Sequence, residues 1–546
     1  MTQSPPRTGE AQPARAGAVQ RRRALVAVGL AVAAVIALLV LALGSGGGQR
    51  QPATGAARLV PTDALLYLHV STDGERDAVQ RTFDLARRFP RFSRLAGALS
   101  ARLPTGGQPL SSLNGIASWI GPELGLAVLD AGGKPAGSVV IVAVSDRRRA
   151  ESFLRRGGAR MLTSYQGTVI NRYGSGASAF VGRYLVLGQQ PGIRAAIDRY
   201  AGRAPALNAN PTFRRAMRGM PAGRVADAYA SPAGVRRALR SRGGPLGIAS
   251  VLLDQPGLAG VGMAVTPADG GARIRLHSIG SGAAPGGNRA VFAPFHPGLA
   301  GAVPKTAMAY LGLTGLDRAA GRLLGLAAAS GPTGARLQSL LQTRGRDIAR
   351  RAGVNVARDV LPLFHDEVAL WIAPSLPVPY VTVIAHTDRE ADTRVALARL
   401  QAPLTQLFTA PETGSGAAPT FAERNVSGTK TFSLALSPGV EINYAVFDGK
   451  LVISTSLEGI RQVKRASGPL TDTDAYQATL GDHPRQVTSL VFLDFSQLLG
   501  LGERTGLNAS RGYLAVRDDL KRVRALGAST SGGGTESTTE LFLSIK

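Results

Sequence analysis

The sequence begins the same strand twice, and this repetition constrains the fold more than any other feature. LVPTDALLYLHV occupies residues 59–70 and AVPKTAMAYLGL occupies residues 302–313, so that Pro61 and Pro304 are 243 positions apart. Each stretch contains Val-Pro, a short polar pair, and an apolar run with a tyrosine at the same place. A chain that starts one strand twice is expected to contain one folding unit twice.

Further pairs of similar segments follow in the same order along both halves. They are ELGLAVLD (123–130) with EVALWIAP (367–374), GSVVIVAVSDRRRAESFLRR (137–156) with PYVTVIAHTDREADTRVALARL (379–400), RYLVLGQQPGIRAAIDRYAG (183–202) with GKLVISTSLEGIRQVKRASG (449–468), LNANPTFRRAM (207–217) with LTDTDAYQATL (470–480), and RIRLHSI (273–279) with TELFLSI (539–545). The offset between partners changes along the chain, as insertions in loops would make it. The sequence therefore predicts a duplicated module of about 220 residues.

Hydrophobic patterning predicts that each module is α+β, with a mainly antiparallel sheet and helices on one face. Short connections between apolar runs favour antiparallel pairing. Asp146 and Thr387 follow strands and are N-cap residue types, and Thr387 with Glu390 has the spacing of a capping box. In the first module the predicted strands are 65–70, 123–130, 137–144, about 167–173, about 178–188, 224–230, 259–266 and 272–279, and the predicted helices are about 76–101, one after residue 146, 191–201 and 210–219.

An uncharged apolar run, Ala24–Leu43, precedes the first module. Its 20 residues would span about 30 Å as a helix, which matches one hydrocarbon core. Residues 1–23 contain five arginines and one glutamate, so the positive-inside rule keeps this end in the cytoplasm. A cleaved signal peptide is the alternative, although the run exceeds the usual length of a signal h-region. We expect a single-pass plasma-membrane protein whose bulk is extracytoplasmic.

The chain thus divides into six predicted segments. They are a disordered cytoplasmic tail (1–23), a transmembrane helix (24–43), a flexible tether (44–58), a first α+β module (59–280), a linker (281–301) and a second α+β module (302–546).

Cysteine is absent, which excludes disulfides, thiolate metal sites and cysteine nucleophiles. The net charge is +27, and only 7 of the 63 basic residues are lysine. Heavy use of arginine, alanine and glycine is typical of a GC-rich bacterial genome, so part of the basicity follows from codon usage. The position of the remaining charge matters more than its total.

The order of these features resembles a bacterial membrane-anchored family without an assigned activity, domain of unknown function 3352. The matching motif is Val-Pro-x-x-(Ala/Thr)-x-x-Tyr after one N-terminal span, and FVGRYLVLGQQPGIRAAID (180–198) is similar to the family's strand-helix signature. The motif residues are Val60, Pro61, Ala64 and Tyr67, and again Val303, Pro304, Ala307 and Tyr310. The resemblance covers residues 59–546 and implies the architecture, but it carries no catalytic residues.

The ionisable residues and motifs of the sequence predict no catalytic, cofactor-binding or metal site. His365-Asp366-Glu367 is the densest ionisable triplet, but neighbours on a strand point to alternate faces and cannot all reach one ion. Glu123 and Glu367 are interpreted as exposed strand starts. Ser427 and Lys430 spell SxxK, but the segment alternates like a strand rather than a helix. Phosphate loops, a GxSxG elbow and HExxH do not occur in the sequence.

Charge differs between the two halves. Residues 59–280 hold 29 basic and 13 acidic residues, whereas residues 302–546 hold 26 and 22. The densest basic stretch, Arg214 to Arg242, contains the candidates for binding an anionic surface. They are Arg214, Arg215, Arg218, Arg236, Arg237 and Arg240, of which 214 with 218 and 236 with 240 would share helix faces. The partner would be anionic lipid or a wall polymer, whereas a solvated arginine-rich face is the alternative; nucleic acid is not expected.

We expect a non-catalytic binding or assembly platform in the cell envelope, without a cofactor. Two alternatives stay open. One is a carrier or sensor that holds an apolar ligand between sheet and helices. The other is an envelope hydrolase, which would need the shared acids Glu123, Asp146, Glu367 and Asp388 to converge in a cleft.

Overall fold

The computed structural model describes thirteen ranges of the chain. They are residues 50–90, 118–131, 134–174, 176–239, 257–281, 293–316, 350, 353–375, 378–407, 419–437, 440–465, 468–533 and 535–546. The predicted tail (1–23) and transmembrane segment (24–43) lie outside these ranges. Within them, no helix combines the length and the hydropathy needed to cross a membrane. Residues 50–281 are called the first half below, and residues 293–546 the second half.

The described residues of each half form ten strands. In the first half they are β1 Leu66–Ser71, β2 Ile120–Ala131, β3 Lys134–Val144, β4 Arg160–Tyr165, β5 Thr168–Tyr173, β6 Gly176–Val181, β7 Tyr184–Gly188, β8 Ala226–Ala230, β9 Leu258–Ala268 and β10 Gly271–Gly280. In the second half they are β11 Ala309–Leu313, β12 Val368–Ala373, β13 Tyr380–His386, β14 Phe421–Val426, β15 Thr429–Ser437, β16 Val440–Phe447, β17 Lys450–Ser454, β18 Ser489–Asp494, β19 Val523–Gly533 and β20 Glu536–Ile545.

The helices follow the strands in a similar order in both halves. Those of the first half are α1 Asp77–Arg87, α2 Arg147–Arg156, α3 Gln190–Tyr200, α4 Pro211–Met217 and α5 Pro232–Leu239. Those of the second half are α6 Glu390–Leu407, α7 Leu457–Arg465, α8 Asp474–Leu480, α9 Phe495–Arg504, α10 Arg511–Leu514 and α11 Arg517–Leu520. Short 3₁₀ helices and one π-helical turn lie at Gly55–Leu59, Leu207–Ala209, Leu299–Ala302, Val356–Val360 (π), Leu361–Phe364, Leu470–Asp472 and Leu507–Ala509.

These twenty strands of the described ranges form one antiparallel sheet. Its spatial order is β4-β5-β6-β7-β3-β2-β1-β8-β9-β10-β20-β19-β18-β11-β12-β13-β17-β16-β15-β14. The order of pairings in the second half therefore mirrors that of the first half. The prediction of an α+β chain with a mainly antiparallel sheet is confirmed.

The two halves meet where their last strands pair. The β10–β20 ladder contains nine residue pairs, from Gly271 opposite Ser544 to Ile279 opposite Glu536. Arg275 and Glu540 face each other within this ladder and form an ion pair, and His277 Nε2 lies 3.3 Å from Glu536 Oε2. Such a ladder satisfies the backbone groups of two strands that would otherwise be exposed edges.

Apolar cores cover both faces of the sheet, so the prediction of helices on one face is wrong. On one face of the first half, Ile193 and Ala196 of α3 belong to the same core as Ile141 of β3. On the other face, Leu154 of α2 packs in a core with Val140 of β3. The physical reason is visible in β3, whose apolar run has no polar face and must be covered on both sides.

The strand prediction missed β4 and merged β6 with β7. The region predicted as one strand at 178–188 turns at Gly182, whose φ of 57° is left-handed.

The two predicted helix caps have different outcomes. The helix after β13 begins at Glu390, and the Thr387 hydroxyl is hydrogen-bonded to the Thr393 hydroxyl. The expected capping box of Thr387 and Glu390 is therefore wrong, because Glu390 accepts from the Gly449 backbone N–H. Asp146 does cap α2, since it accepts from the Arg149 N–H.

The SxxK stretch lies in a β-hairpin turn, as its alternating pattern indicated. Ser427 and Gly428, between β14 and β15, have φ values of 52° and 79°. Gln166 and Gly167, between β4 and β5, have φ values of 50° and 74°. Two consecutive left-handed residues are the geometry of a type I′ hairpin turn. Lys430 is thus on a strand and pairs with Glu423, not with Ser427.

Close helix-strand contacts occur at equivalent glycines of the two halves. A Cβ on Gly262 of β9 would lie 2.3 Å from the Ala216 carbonyl oxygen of α4. A Cβ on Gly527 of β19 would lie 2.7 Å from Leu480 Cγ and Thr479 Cβ of α8. Both distances are shorter than any normal contact, so only glycine lets these helices approach the sheet so closely.

We predict that Gly262→Ala and Gly527→Ala each lower the free energy of unfolding by about 1–3 kcal/mol, because each helix must shift off the sheet. Denaturant unfolding followed by circular dichroism measures the effect. Gly533→Ala is the control, since a Cβ there meets nothing within 4 Å. Equal stability of all three variants would show that the helices move at no cost.

Candidate functional site

The first group of predicted arginines lies on α4 and just beyond it. Arg214 and Arg218 are exposed, whereas Arg215 is half-buried and pairs with Glu536 of β20 at 2.8 Å. Helix α4 ends at Met217, and Arg218 has extended backbone geometry. Arg214 and Arg218 therefore do not share a helix face as predicted, although both stay at the surface. Arg215 is a contact between the two halves.

The second group lies on α5. Arg236 is exposed there, whereas the Arg237 side chain and Arg240 lie outside the described part of the structure. Helix α5 follows directly after β8, and the segment after Arg218 leads into the opposite end of that strand. The five residues of β8 extend over about 17 Å, which separates the two ends of this strand. The structure therefore places the described arginines at two locations rather than in one patch.

The chain enters the fold beside the first of these locations. Arg76 is fully buried, and its guanidinium donates from Nε to the Arg50 carbonyl at 2.8 Å. The same guanidinium donates from Nη2 to the carbonyls of Ala222 and Arg224, in the segment that connects Arg218 to β8. Arg50 is thus held next to this connecting segment. Because Gly55–Leu59 also forms a 3₁₀ helix with buried residues, the predicted tether of residues 44–58 is not a free linker throughout.

A cluster of ionisable side chains is buried at the centre of the first half. His69 of β1, Asp227 of β8 and Glu123 of β2 are 1%, 2% and 0% exposed. His69 Nδ1 lies 3.0 Å from Asp227 Oδ2, and His69 Nε2 lies 3.8 Å from Glu123 Oε2. Asp227 also accepts from Arg224 Nε at 2.8 Å. These three strands are neighbours in the sheet, which is why residues distant in sequence meet here.

Glu123 was predicted to be an exposed strand start, and this prediction is wrong. Its carboxylate accepts from the Tyr184 hydroxyl at 2.7 Å, from Arg183 at 3.1 Å and from the Ala56 N–H at 3.0 Å. It therefore holds the first turn of the 3₁₀ helix that precedes the Val-Pro motif. Burial, together with the hydrogen bond to Glu123, raises the pKa of Tyr184 to about 12.

The charges in this cluster are compensated. Burial by itself would raise the pKa of Asp227, but the hydrogen bond with His69 and the charge of Arg224 outweigh it and lower that pKa below its ordinary value. Burial and the nearby acids raise the pKa of Tyr67 well above its ordinary value. His69, Asp227 and Glu123 are all closed off from solvent, so their polar contacts lie within the core.

The second half keeps the glutamate and replaces the rest of the cluster. Gly312 and Leu490 face each other across β11 and β18, where the first half has the His69–Asp227 pair. Glu367 accepts from the N–H groups of Gly298 and Leu299, both at 2.9 Å. It thus holds the 3₁₀ helix before the second Val-Pro motif, as Glu123 does in the first half. Burial raises the pKa of Glu367 despite these two donors.

A surface cluster that the sequence analysis did not predict lies in the second half. Asp366, His386 and Asp388 each place one ligand-type atom within 4.8 Å of the others. Residue 366 directly precedes Glu367, whose carbonyl accepts from the His386 N–H across the β12–β13 pair. The sequence signal was present in the His-x-Asp spacing at the end of β13, but only strand pairing shows that Asp366 lies beside it.

A cleft of about 420 Å³ lies between α2 and the β4–β6 part of the sheet. Its lining includes the charged residues Arg147, Glu151 and Arg155 and the apolar residues Leu154, Val169 and Phe180. Arg147 lies over the Phe180 ring at 4.7 Å. Charged and apolar groups therefore both line this cleft.

The chain belongs to the family described as "Protein of unknown function (DUF3352)", whose match spans residues 24–545. The resemblance inferred from the sequence motifs is thereby confirmed. A search among curated proteins finds no match.

Among solved structures, the chain is similar to TP0453 in crystal forms III, I and IV. Sequence identities are 11%, 13% and 12%, and the TM-score is 0.26 in each case. The alignments cover 42%, 42% and 41% of this chain and 82%, 81% and 83% of the other. Similarity at this score carries no argument about fold or function.

We predict that Asp227→Asn lowers the free energy of unfolding by about 3–5 kcal/mol near neutral pH, because Arg224 loses its buried partner. In the wild type, the pKa of Asp227 is lower in the folded than in the unfolded state. Its contribution is therefore present above the unfolded pKa and is lost as pH falls through the folded pKa.

Denaturant unfolding between pH 3 and 8 measures both effects, with exposed Asp269→Asn as the control. Stability of Asp227→Asn should depend less steeply on acid pH than that of the wild type or the control. An unchanged acid dependence would show that another carboxylate is responsible.

Proposed function

We propose that the chain is a membrane-anchored, extracytoplasmic and non-catalytic platform in the cell envelope, whose first half faces the membrane with its basic surface. The observation that carries the proposal is the position of Arg50. Its carbonyl is bound by the buried Arg76, which also binds the segment after Arg218. The chain thus enters the fold beside exposed arginines.

Distance along the chain supports this orientation. Arg50 is seven positions after Leu43, the last residue of the apolar run. A fully extended chain covers about 25 Å over these seven positions. Arg218 is four residues from Ala222, and that separation is at most about 15 Å. If Ala24–Leu43 spans the bilayer, Arg214 and Arg218 lie within reach of the headgroups, where each arginine contributes about 1 kcal/mol of attraction to an anionic surface.

The family match supports the proposal that the membrane anchor is part of the mature protein. It begins at residue 24, which is also the first residue of the apolar run. Three arginines, Arg21 to Arg23, directly precede that run and favour a cytoplasmic N-terminus. We propose the uncleaved transmembrane helix on this basis.

We also propose that the two halves arose by duplication of one module. The order of strand pairings supports this, and so does the register of the β10–β20 ladder. Arg273 pairs with Phe542, and Leu276 pairs with Thr539. The sequence repeat makes residue 273 equivalent to 539 and residue 276 equivalent to 542. Each pair therefore maps onto the other, which is the relation found in a two-fold interface between identical subunits.

A platform needs rigidity, and the continuous sheet supports that role. The β10–β20 ladder, the Arg215–Glu536 pair and the Arg275–Glu540 pair connect the halves through backbone and side chains. Apolar cores on both faces leave little freedom for one half to move against the other. The second half would thus be presented at a defined position relative to the membrane.

The anchor is tested by comparing the full chain with a chain that starts at residue 50, both expressed in a GC-rich bacterium. We predict that the full chain resists extraction from membranes by alkaline carbonate, while the shorter chain does not sediment with them. Protease added outside spheroplasts should digest the second half. Full protection from external protease would overturn the extracytoplasmic orientation.

The basic face is tested with the chain that starts at residue 50 and vesicles of increasing anionic lipid content. We predict salt-sensitive sedimentation that falls about 30-fold in Arg214→Ser/Arg218→Ser, since about 2 kcal/mol of attraction is lost. The matched control is Arg485→Ser/Arg511→Ser, which removes two exposed arginines of the second half. Equal losses in both variants would assign the binding to net charge rather than to the face beside Arg50.

A further inference from the structure

The second half carries a group of potential metal ligands at one end of the β12–β13 hairpin. Asp366 lies two residues before β12, His386 is the last residue of β13, and Asp388 lies two residues before α6. The His386 N–H donates to the Glu367 carbonyl at 3.0 Å, which fixes the two segments side by side. In the first half the equivalent positions are Pro122, Val144 and Asp146, so the group is particular to the second half.

The separations between the ligand atoms fit a shared ion better than hydrogen bonds. His386 Nδ1 lies 3.6 Å from Asp366 Oδ2 and 3.7 Å from Asp388 Oδ1. Hydrogen bonds between nitrogen and oxygen are about 2.7–3.2 Å long. Two ligands of one tetrahedral ion at about 2.1 Å are about 3.4 Å apart. A small movement of exposed side chains therefore brings all three atoms to coordination distance.

The neighbouring histidine supplies a second, independent observation. His365 Nδ1 lies 2.6 Å from the Pro362 carbonyl, which can only accept, so Nδ1 carries the proton. Its Nε2 lies 3.1 Å from Asp366 Oδ2, so a second imidazole stands directly beside the cluster. A carbonyl that orients the far nitrogen is also the usual outer partner of a metal-binding histidine.

We propose that Asp366, His386 and Asp388 bind one divalent transition-metal ion of the zinc class, with His365 beside Asp366 at the edge of the site. Imidazole nitrogen together with carboxylate oxygen favours zinc, cobalt or nickel over magnesium and calcium, which prefer oxygen alone. The exposed ligands leave room for water on the ion. Bound metal would join the segment before β12 to the start of α6. This proposal is independent of the membrane anchor.

The test uses the full chain in detergent micelles, purified without a histidine tag and stripped of metal with a chelator. Zinc binding is measured by calorimetry, and cobalt binding is measured by its visible absorption spectrum. We expect one ion per chain, and affinity lowered more than about 10-fold in His386→Ala and in Asp388→Asn. Binding should weaken on acidification, because protons compete for the imidazole.

His483→Ala is the matched control, because His483 lies in the same half and its Nδ1 contacts the Pro484 carbonyl. It should bind zinc as the wild type does. Thermal unfolding of the metal-free variants checks that the fold is kept, which the exposure of His386 and Asp388 favours. Unchanged zinc affinity in the His386→Ala/Asp388→Asn double variant would overturn the proposal, as would the absence of saturable binding of zinc, cobalt and nickel.

Discussion

The antiparallel pairing of β10 with β20 is the interaction on which the rest of the structure depends. Without it, each half would present a long strand with unpaired backbone N–H and C=O groups, a template for association with other chains. Nine residue pairs close both edges at once. The same ladder places Glu536 next to Arg215 of α4. It therefore also fixes the position of this basic helix relative to the second half.

Two glutamates connect the sheet to the segments that lead into it. Glu123 and Glu367 each bind backbone N–H groups at a 3₁₀ helix that precedes a Val-Pro motif. A carboxylate is well suited to this, since the free N–H groups of a helix start carry partial positive charge. Only the first half adds a His69–Asp227 pair beside its glutamate. Both halves thus use a glutamate to hold the 3₁₀ helix before the Val-Pro motif. They differ because only the first half has a buried His–Asp pair next to that glutamate.

Much of the fold could be predicted because periodicity is a local signal. Strands β1, β8 and β10 lie close to their predicted bounds, and Asp146 caps its helix as its residue type indicated. The hairpin at Gly182 was missed because one glycine in an apolar run is a weak turn signal. Helices on both faces were missed for a different reason. An apolar run shows that a strand is buried, but it does not show which neighbour covers each face.

The sequence by itself determined the repeated order of elements, the α+β class and the family, because each of these depends on residue spacing along the chain. Tertiary structure alone decided that Glu123 is buried, that Arg236 lies apart from Arg218, and that Asp366 meets His386 and Asp388. The physical reason is that sheet pairing joins residues far apart in sequence. Register then decides which side chains meet, and a shift of one residue would send each of them to the opposite face.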